Sequence, residues 1–369
     1  MRSADPEASF QRRKAFCAAW GAYGNAEANP FPLFLADSVH LSYLTGFWVD
    51  PFSLGAGFGA LLQLNADGTG ILTHHDRLPD EVETIAPEGC GLKRVVRPWY
   101  DGVHAPRGAR ALAMLPEGFA SRIHDLPDHP AAKQLFETIG NLRRSKYPDE
   151  LALIRTAICA QEAGHTWARA NIRPGMSELE LYAGVAREAT LTAGRAVITY
   201  GDFAVSPGPE RKGGPPTGRI LNEGDLFILD FSVVIAGYRG DFTTTLAVGA
   251  PSRKAREMMD LCLGALGAGE RELIEGNSAR AVHAAVNAVF QKAGLDQYFG
   301  HHAGHGLGLT HPEAPFFVSD SQDTLVENDV VTLEPGLYIP GQGGMRIERN
   351  YRITASGHER LSHHRIAFD

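Results

Sequence analysis

The run FILDFSVVIAGYRGDF, residues 227 to 242, sets Asp230 and Asp241 eleven positions apart inside one of the most apolar stretches of the chain. A carboxylate buried there without a partner would cost several kcal/mol. Residues 225–249 alternate like two strands joined by a turn at Ala236-Gly237-Tyr238-Arg239-Gly240. Because side chains alternate along a strand with period two, such a hairpin can place both aspartates on one face of adjacent strands. Facing carboxylates repel unless a proton or a cation sits between them.

Three later segments add to this pair. HHAGHGLGLTHPEAP (301–315) carries His305 between glycines, where missing side chains would let the backbone come close to a bound group. VVTLEPGLY (330–338) puts Glu334 at the end of a β-branched run, and GGMRIERNY (343–351) puts Glu348 in another. Singly, a strand-edge Asp, a loop His and a strand-end Glu are ordinary. Together they make an oxygen-rich set of four carboxylates and one imidazole, suited to two divalent ions such as manganese, cobalt or iron and less to a tetrahedral structural zinc.

The order Asp, Asp, Gly-His-Gly-x-Gly, Glu-Pro-Gly-x-Tyr and Gly-x-Arg-x-Glu resembles the pita-bread metallopeptidase family, in its branch of prolidase (Xaa-Pro dipeptidase), aminopeptidase P and creatinase. LRRSKYPDELALIRTA (142–157) is similar to the entry helix of that family's catalytic domain, and YLTGF (43–47) to the branch's N-terminal domain. The resemblance implies that Asp230 binds one metal, that His305 and Glu334 bind the other, and that Asp241 and Glu348 bridge both. It implies two divalent ions, with manganese expected and cobalt, iron or zinc as alternatives, polarising the scissile carbonyl and activating a water. Glu334 would accept that water's proton. Arg346, two residues before Glu348 and so expected on the same strand face, would hold a metal-binding carboxylate in place. The implied activity is hydrolysis of a peptide bond preceding proline in a small peptide, by a homodimer.

Two positions depart from the family pattern. The histidine that aminopeptidases of this family carry about eleven residues ahead of the strand-opening Gly-Asp falls here on Gly213, and no histidine occurs between His165 and His283. Restoring a histidine there is expected to raise peptidase activity. The histidine after Gly-His-Gly stands six residues on, at His311, instead of seven; it and His301 are expected to face the pocket as catalytic residues. His302, His74-His75 and His363-His364 read as surface or strand-packing residues, while Tyr200 and Arg211 flank the altered loop and could contact substrate. Gly213 motivates an alternative, a metal-dependent hydrolase or lyase acting on a small non-peptide metabolite. A non-catalytic binding relative is a further alternative, weakened by the retention of all five ligands.

Positioning these residues takes more than one core, since 369 residues suggest about two domains. The expected class is α+β: an N-terminal creatinase-like α/β domain over 1–130, a linker helix over 131–147, and a catalytic pita-bread domain over 148–369, with a curved, mainly antiparallel sheet covered by helices. Asp67-Gly68 reads as a hairpin turn, Pro148-Asp149-Glu150 as a helix first turn, and Ser177 with Glu180 as a capping box. A formal charge of −8 argues against a nucleic-acid partner, Arg12-Arg13-Lys14 being read as a short helix-face cluster. The four scattered cysteines form no C-x-x-C pair and read as buried free thiols. With no apolar run approaching the ~18 residues needed to span a bilayer and no signal-like N-terminus, the expectation is a cytoplasmic protein with no membrane partner.

Overall fold

A computed structural model describes residues 5–28, 30–48, 51–52, 60–76, 84–98, 122–206 and 213–368. The chain divides into two compact units, one of Met1–Arg143 with Tyr147–Glu150, the other of Arg144–Lys146 with Leu151–Asp369. No helix among the described residues is long and apolar enough to cross a membrane.

The first unit holds a four-stranded sheet in the order β1 (Leu33–Leu35), β2 (Ala60–Leu64), β3 (Gly70–His75), β4 (Leu92–Arg97). The first three strands pair antiparallel and β4 joins β3 in parallel. Asp67 and Gly68 do turn the β2–β3 hairpin, Gly68 at φ 82°. His74 and His75 are buried in β3, as strand-packing residues. Asp5 caps the helix Pro6–Ala22, and Asp37 and Gly46 cap the helix Ser38–Thr45 at its two ends. The arginines expected on an exposed helix face are buried instead. Arg13 donates to the carbonyls of Gly68, Leu44 and Cys90 at 2.8, 2.9 and 2.6 Å, and Arg12 to the carbonyl of Tyr43 at 2.6 Å. A guanidinium carries five donors in a rigid fork, so Arg13 satisfies helix-end and turn carbonyls that burial would otherwise orphan, while Arg12 also reaches Ser9 Oγ and the Asp149 carboxylate. The helix Ala132–Leu142, read from sequence as a linker, belongs to this unit and packs on Pro6–Ala22.

The second unit takes the helix Pro148–Asn171 from Leu151 on and then the helix Glu178–Ala193, which carries the expected capping box of Ser177 and Glu180. Three antiparallel strands follow: β5 (Ile198–Ser206), β6 (Leu226–Ile235) and β7 (Tyr238–Ala247). After the helices Arg253–Glu270 and Ala279–Lys292 come the short strands β8 (His305–Gly306), β9 (Glu313–Phe316), β10 (Val330–Leu333), β11 (Gly336–Ile339), β12 (Gly343–Arg346), β13 (Arg349–Thr354) and β14 (Gly357–Arg360). They form a five-stranded sheet in the order β14-β13-β10-β8-β9, and β11 pairs with β12. Met258, Cys262, Leu266, Val286 and Phe290 from the two helices pack on Val331, Leu333, Leu337, Met345 and Ile347 in one apolar core. That core fixes the strands whose opposite faces carry the polar residues. Three of the cysteines are buried free thiols as expected, whereas Cys159 is exposed.

The β6–β7 hairpin is tighter than its sequence suggests. Tyr238 already pairs with Ile235, so the turn is Ala236-Gly237 alone, with φ of 49° and 85°. Positive φ at both central residues is the turn whose twist matches the strands it joins. The register pairs Asp230 with Thr243 and Ser232 with Asp241, which places both aspartates on one face, diagonally related. On the other side of β6, Asp202 of β5 pairs with Asp230 and Gly201 with Phe231. Gly201 has φ 148°, and a Cβ there would stand 2.3 Å from the Asp230 carbonyl oxygen. Gly201→Ala is therefore expected to lower stability by about 2 kcal/mol, read as a lower urea midpoint with unchanged slope; an unchanged midpoint would contradict this packing.

Candidate metal centre

Asp230, Asp241, His305, Glu334 and Glu348 converge on one cavity of about 360 Å³, which is also lined by Tyr200, Asp202, His301, His302, His311, Tyr338 and Arg346. Among the described residues four groups have ligand atoms that all lie within 4.8 Å of one another: Asp230, Asp241 and Glu348; His305, Glu334 and Glu348; Asp241, His305 and His311; and His301, His302 and Glu334. The first two share Glu348 and between them contain all five residues singled out from the sequence.

The hairpin positions this set through one face of β7. Ser232 donates to Asp241 Oδ1 at 3.1 Å, Thr243 Oγ1 donates to Glu348 Oε2 at 2.7 Å, and Thr245 Oγ1 donates to the Arg346 carbonyl at 2.8 Å. The backbone N–H of Glu348 donates to the Thr243 carbonyl at 3.0 Å, and that of Asp241 to Asn350 Oδ1 at 3.1 Å. Residues 346–350 are thus stitched to β7. Arg346 and Glu348 do not share a strand: β12 ends at Arg346, and Glu348 sits in the two-residue link before β13. Arg346 still reaches the expected kind of partner. Its Nη2 pairs with Asp230 Oδ2 and, at 2.7 Å, with Asp202 Oδ2, while Nη1 donates to the Tyr338 hydroxyl at 2.8 Å.

His305 Nδ1 donates to the Gly306 carbonyl at 2.8 Å, which leaves Nε2 facing the cavity, 3.7 Å from Asp241 Oδ2 and 3.6 Å from Glu334 Oε1. The flanking glycines let neighbouring strands come close. A Cβ at Gly304 would lie 2.2 Å from the Thr332 carbonyl oxygen, and one at Gly306 2.1 Å from that of Ala314. His311 reaches the cavity despite its shorter spacing, with Nε2 2.7 Å from Asp241 Oδ2. His301 lines the cavity with Nδ1 2.7 Å from the His302 carbonyl.

Sequence reasoning missed two members. His302, read as a surface residue, places Nδ1 3.1 Å from Glu334 Oε1. Asp202 sits on the cavity face of β5, and only its alternation with Tyr200 hinted at this. Arg211 lies outside the described residues. His364, assigned to the surface or to strand packing, is buried against Phe242 and His165.

The electrostatics are those of an anionic cluster short of counter-charge. Burial, then repulsion from Asp241, Glu334 and Asp230, drives Glu348 well above the usual carboxylate range. Burial also raises Asp230 to about 6, against the pull of Arg346. For Glu334 burial acts upward, but His302, His305 and His301 outweigh it and hold the carboxyl at about 2. Burial lowers His311, yet Asp241 reverses that and raises it. Buried Glu348 Oε1 has no hydrogen-bond partner among the described residues. A buried carboxylate oxygen without a donor fits a cation, and the oxygen-rich donor set suits a hard or borderline divalent ion.

Comparison with known proteins gives one family. The model of metallopeptidase family M24 matches residues 152–355, more than half of the chain. The probable dipeptidase PepE of Mycobacterium tuberculosis is 29% identical over 363 residues, covering 94% of this chain and 93% of its own. The structure of dipeptidase PepE from Mycobacterium ulcerans superposes with a TM-score of 0.74 at 26% identity, covering 99% of this chain and 98% of the other. The prolidase from Pyrococcus horikoshii gives the same TM-score at 22% identity, covering 97% and 100%. The fold is the pita-bread fold of those enzymes.

Since Asp230 and Glu348 hold protons that a divalent cation must displace, cation affinity is expected to rise with pH through about 6, by about tenfold per pH unit for each proton released. Manganese titrations at pH 5.0, 6.0 and 7.5 check this, and a dissociation constant independent of pH would contradict it.

Proposed function

Because the chain belongs to metallopeptidase family M24 and is itself a metallopeptidase, we infer that it is a dinuclear enzyme of the Xaa-Pro dipeptidase or aminopeptidase P type, cleaving the bond before proline in small peptides. The observation that carries this is the pair of three-residue groups, Asp230–Asp241–Glu348 and His305–Glu334–Glu348, meeting at Glu348 in one cavity. In this reading Asp230 holds one ion, His305 and Glu334 the other, and Asp241 and Glu348 both. Manganese is the proposed metal, and the protein is proposed to act as a homodimer in the cytoplasm. When bound, the two ions supply Lewis acidity toward the scissile carbonyl and a nucleophile available near neutral pH.

The chain's own residues do the rest. Arg346 orients Asp230 and offsets part of its charge. Thr243 and Ser232 fix one oxygen each of Glu348 and Asp241, so that the other oxygens face the cavity. In this reading Glu334 would accept a proton within the cavity, where its Oε1 lies 3.1 Å from His302 Nδ1. His311 donates its Nε2–H to Asp241 Oδ2, so the Nδ1–H of the protonated ring is what would remain as a donor for the carbonyl or carboxylate of a bound peptide. His301, lowered by burial to about 4, stays neutral and shapes the wall. The relatives are named dipeptidases and prolidases along nearly the full chain, which weighs against a non-peptide metabolite as substrate.

Asp241→Ala or Glu348→Ala is expected to reduce bound metal below two ions per chain and to lower activity by about 100-fold or more, measured by elemental analysis beside turnover. Manganese-loaded protein is expected to cleave Xaa-Pro dipeptides or longer Xaa-Pro peptides. Failure to cleave any peptide of such a panel would sink the reading.

A further inference from the structure

Where the loop departs from the family pattern, Asp202 stands against Gly213 and Gly214. Its Oδ1 accepts the Gly214 N–H at 2.6 Å, its Oδ2 accepts Arg346 Nη2 at 2.7 Å, and the Phe203 N–H closes onto the Gly214 carbonyl at 2.9 Å. A Cβ at Gly213 would stand 2.1 Å from Asp202 Oδ2 and 2.3 Å from its Cγ. A side chain at 213 and this aspartate position therefore exclude each other. That reverses the expectation that a histidine placed at Gly213 would raise activity, since it would first displace Asp202.

Asp202 belongs to none of the four groups able to hold a metal. Its side chain is 35% exposed, against 18% for Asp230, 6% for Asp241 and 10% for Glu334. A carboxylate offers about four lone-pair directions, and among the described residues Asp202, which lines the cavity, receives two donors. Tyr200 precedes it by two residues, hence on the same face of β5 and about 7 Å away along the strand. The Tyr200 ring is 37% exposed, and its hydroxyl is held by Arg239 Nη1 at 2.8 Å. A ring that can pack an aliphatic stem, followed at that distance by a preorganised carboxylate, matches a long side chain with a cationic end.

We propose that Tyr200 and Asp202 form a cation subsite, which selects substrates presenting an ammonium or guanidinium, best supplied by a lysine or arginine side chain. This rests on the peptidase reading above and names a substrate class within it.

The test is calorimetric binding to manganese-loaded protein of three uncleavable ketomethylene analogues: of Lys-Pro-Ala, of norleucine-Pro-Ala, and of hexanoyl-Pro-Ala, which lacks the α-amino group. The native protein is expected to prefer the lysine analogue over the norleucine one by at least tenfold. Asp202→Asn and Gly213→Ala, checked for unchanged metal content and thermal midpoint, are expected to erase that preference. Equal binding of lysine and norleucine analogues, with both weakened tenfold by the variants and the hexanoyl analogue unaffected, would assign the subsite to the α-ammonium. Variants without effect, or weakening all three analogues alike, would overturn the proposal. Absence of turnover on every peptide would instead strike the peptidase reading, and leaves this binding comparison intact.

Discussion

Four carboxylates, Asp230 and Asp241 from the β6–β7 hairpin, Glu334 just after β10 and Glu348 just after β12, line one cavity. Their mutual repulsion, added to the cost of taking charge out of water, is the constraint that the surrounding residues answer. Arg346 on one side and His302, His305 and His311 on the other offset part of it. Among the described residues Glu348 receives only a threonine hydroxyl, and burial with its acidic neighbours drives its carboxyl well above the usual range. In the absence of metal the cluster is therefore held together partly by protons, and a divalent cation would take their place.

The rest of the second unit can be understood as holding these groups at fixed separation. The two-residue turn at Ala236-Gly237 sets the β6–β7 register, and with it the diagonal relation of Asp230 and Asp241. Residues 346–350 are tied to β7 through Thr243, Thr245 and Asn350, so Glu348 is held by the hairpin. Glycines 201, 304 and 306 let strands approach where any Cβ would collide with backbone. Positioning here comes from strand register and close backbone contact, which make the site stiff.

Much of this was legible in the sequence because carboxylates in β-branched runs are conspicuous. Asp230, Asp241, His305, Glu334 and Glu348 each break an apolar or glycine-rich pattern, and their order carries the family resemblance. What escaped had no such contrast. His302 sits beside His301 in a polar loop, so nothing local separates a cavity residue from a solvated one. Asp202 precedes Phe203 in a strand whose polarity resembles an edge, and its role depends on Gly213 eleven residues later. Arg12 and Arg13 looked like a surface cluster because sequence alone cannot show the carbonyls of Gly68, Leu44 and Cys90 converging on a helix. The departures at Gly213 and His311 were visible, but their meaning was not. His311 reaches Asp241 all the same, and Gly213 makes room for Asp202.

The central claim is that the cluster holds two ions which share Glu348 and Asp241. Anomalous diffraction from crystals of the protein grown with manganese, collected at the manganese edge, tests it most directly. The account predicts two peaks in the cavity, one against Asp230 and the other against His305 and Glu334, with Asp241 and Glu348 touching both. A single peak, or manganese bound only outside this cavity, would contradict it.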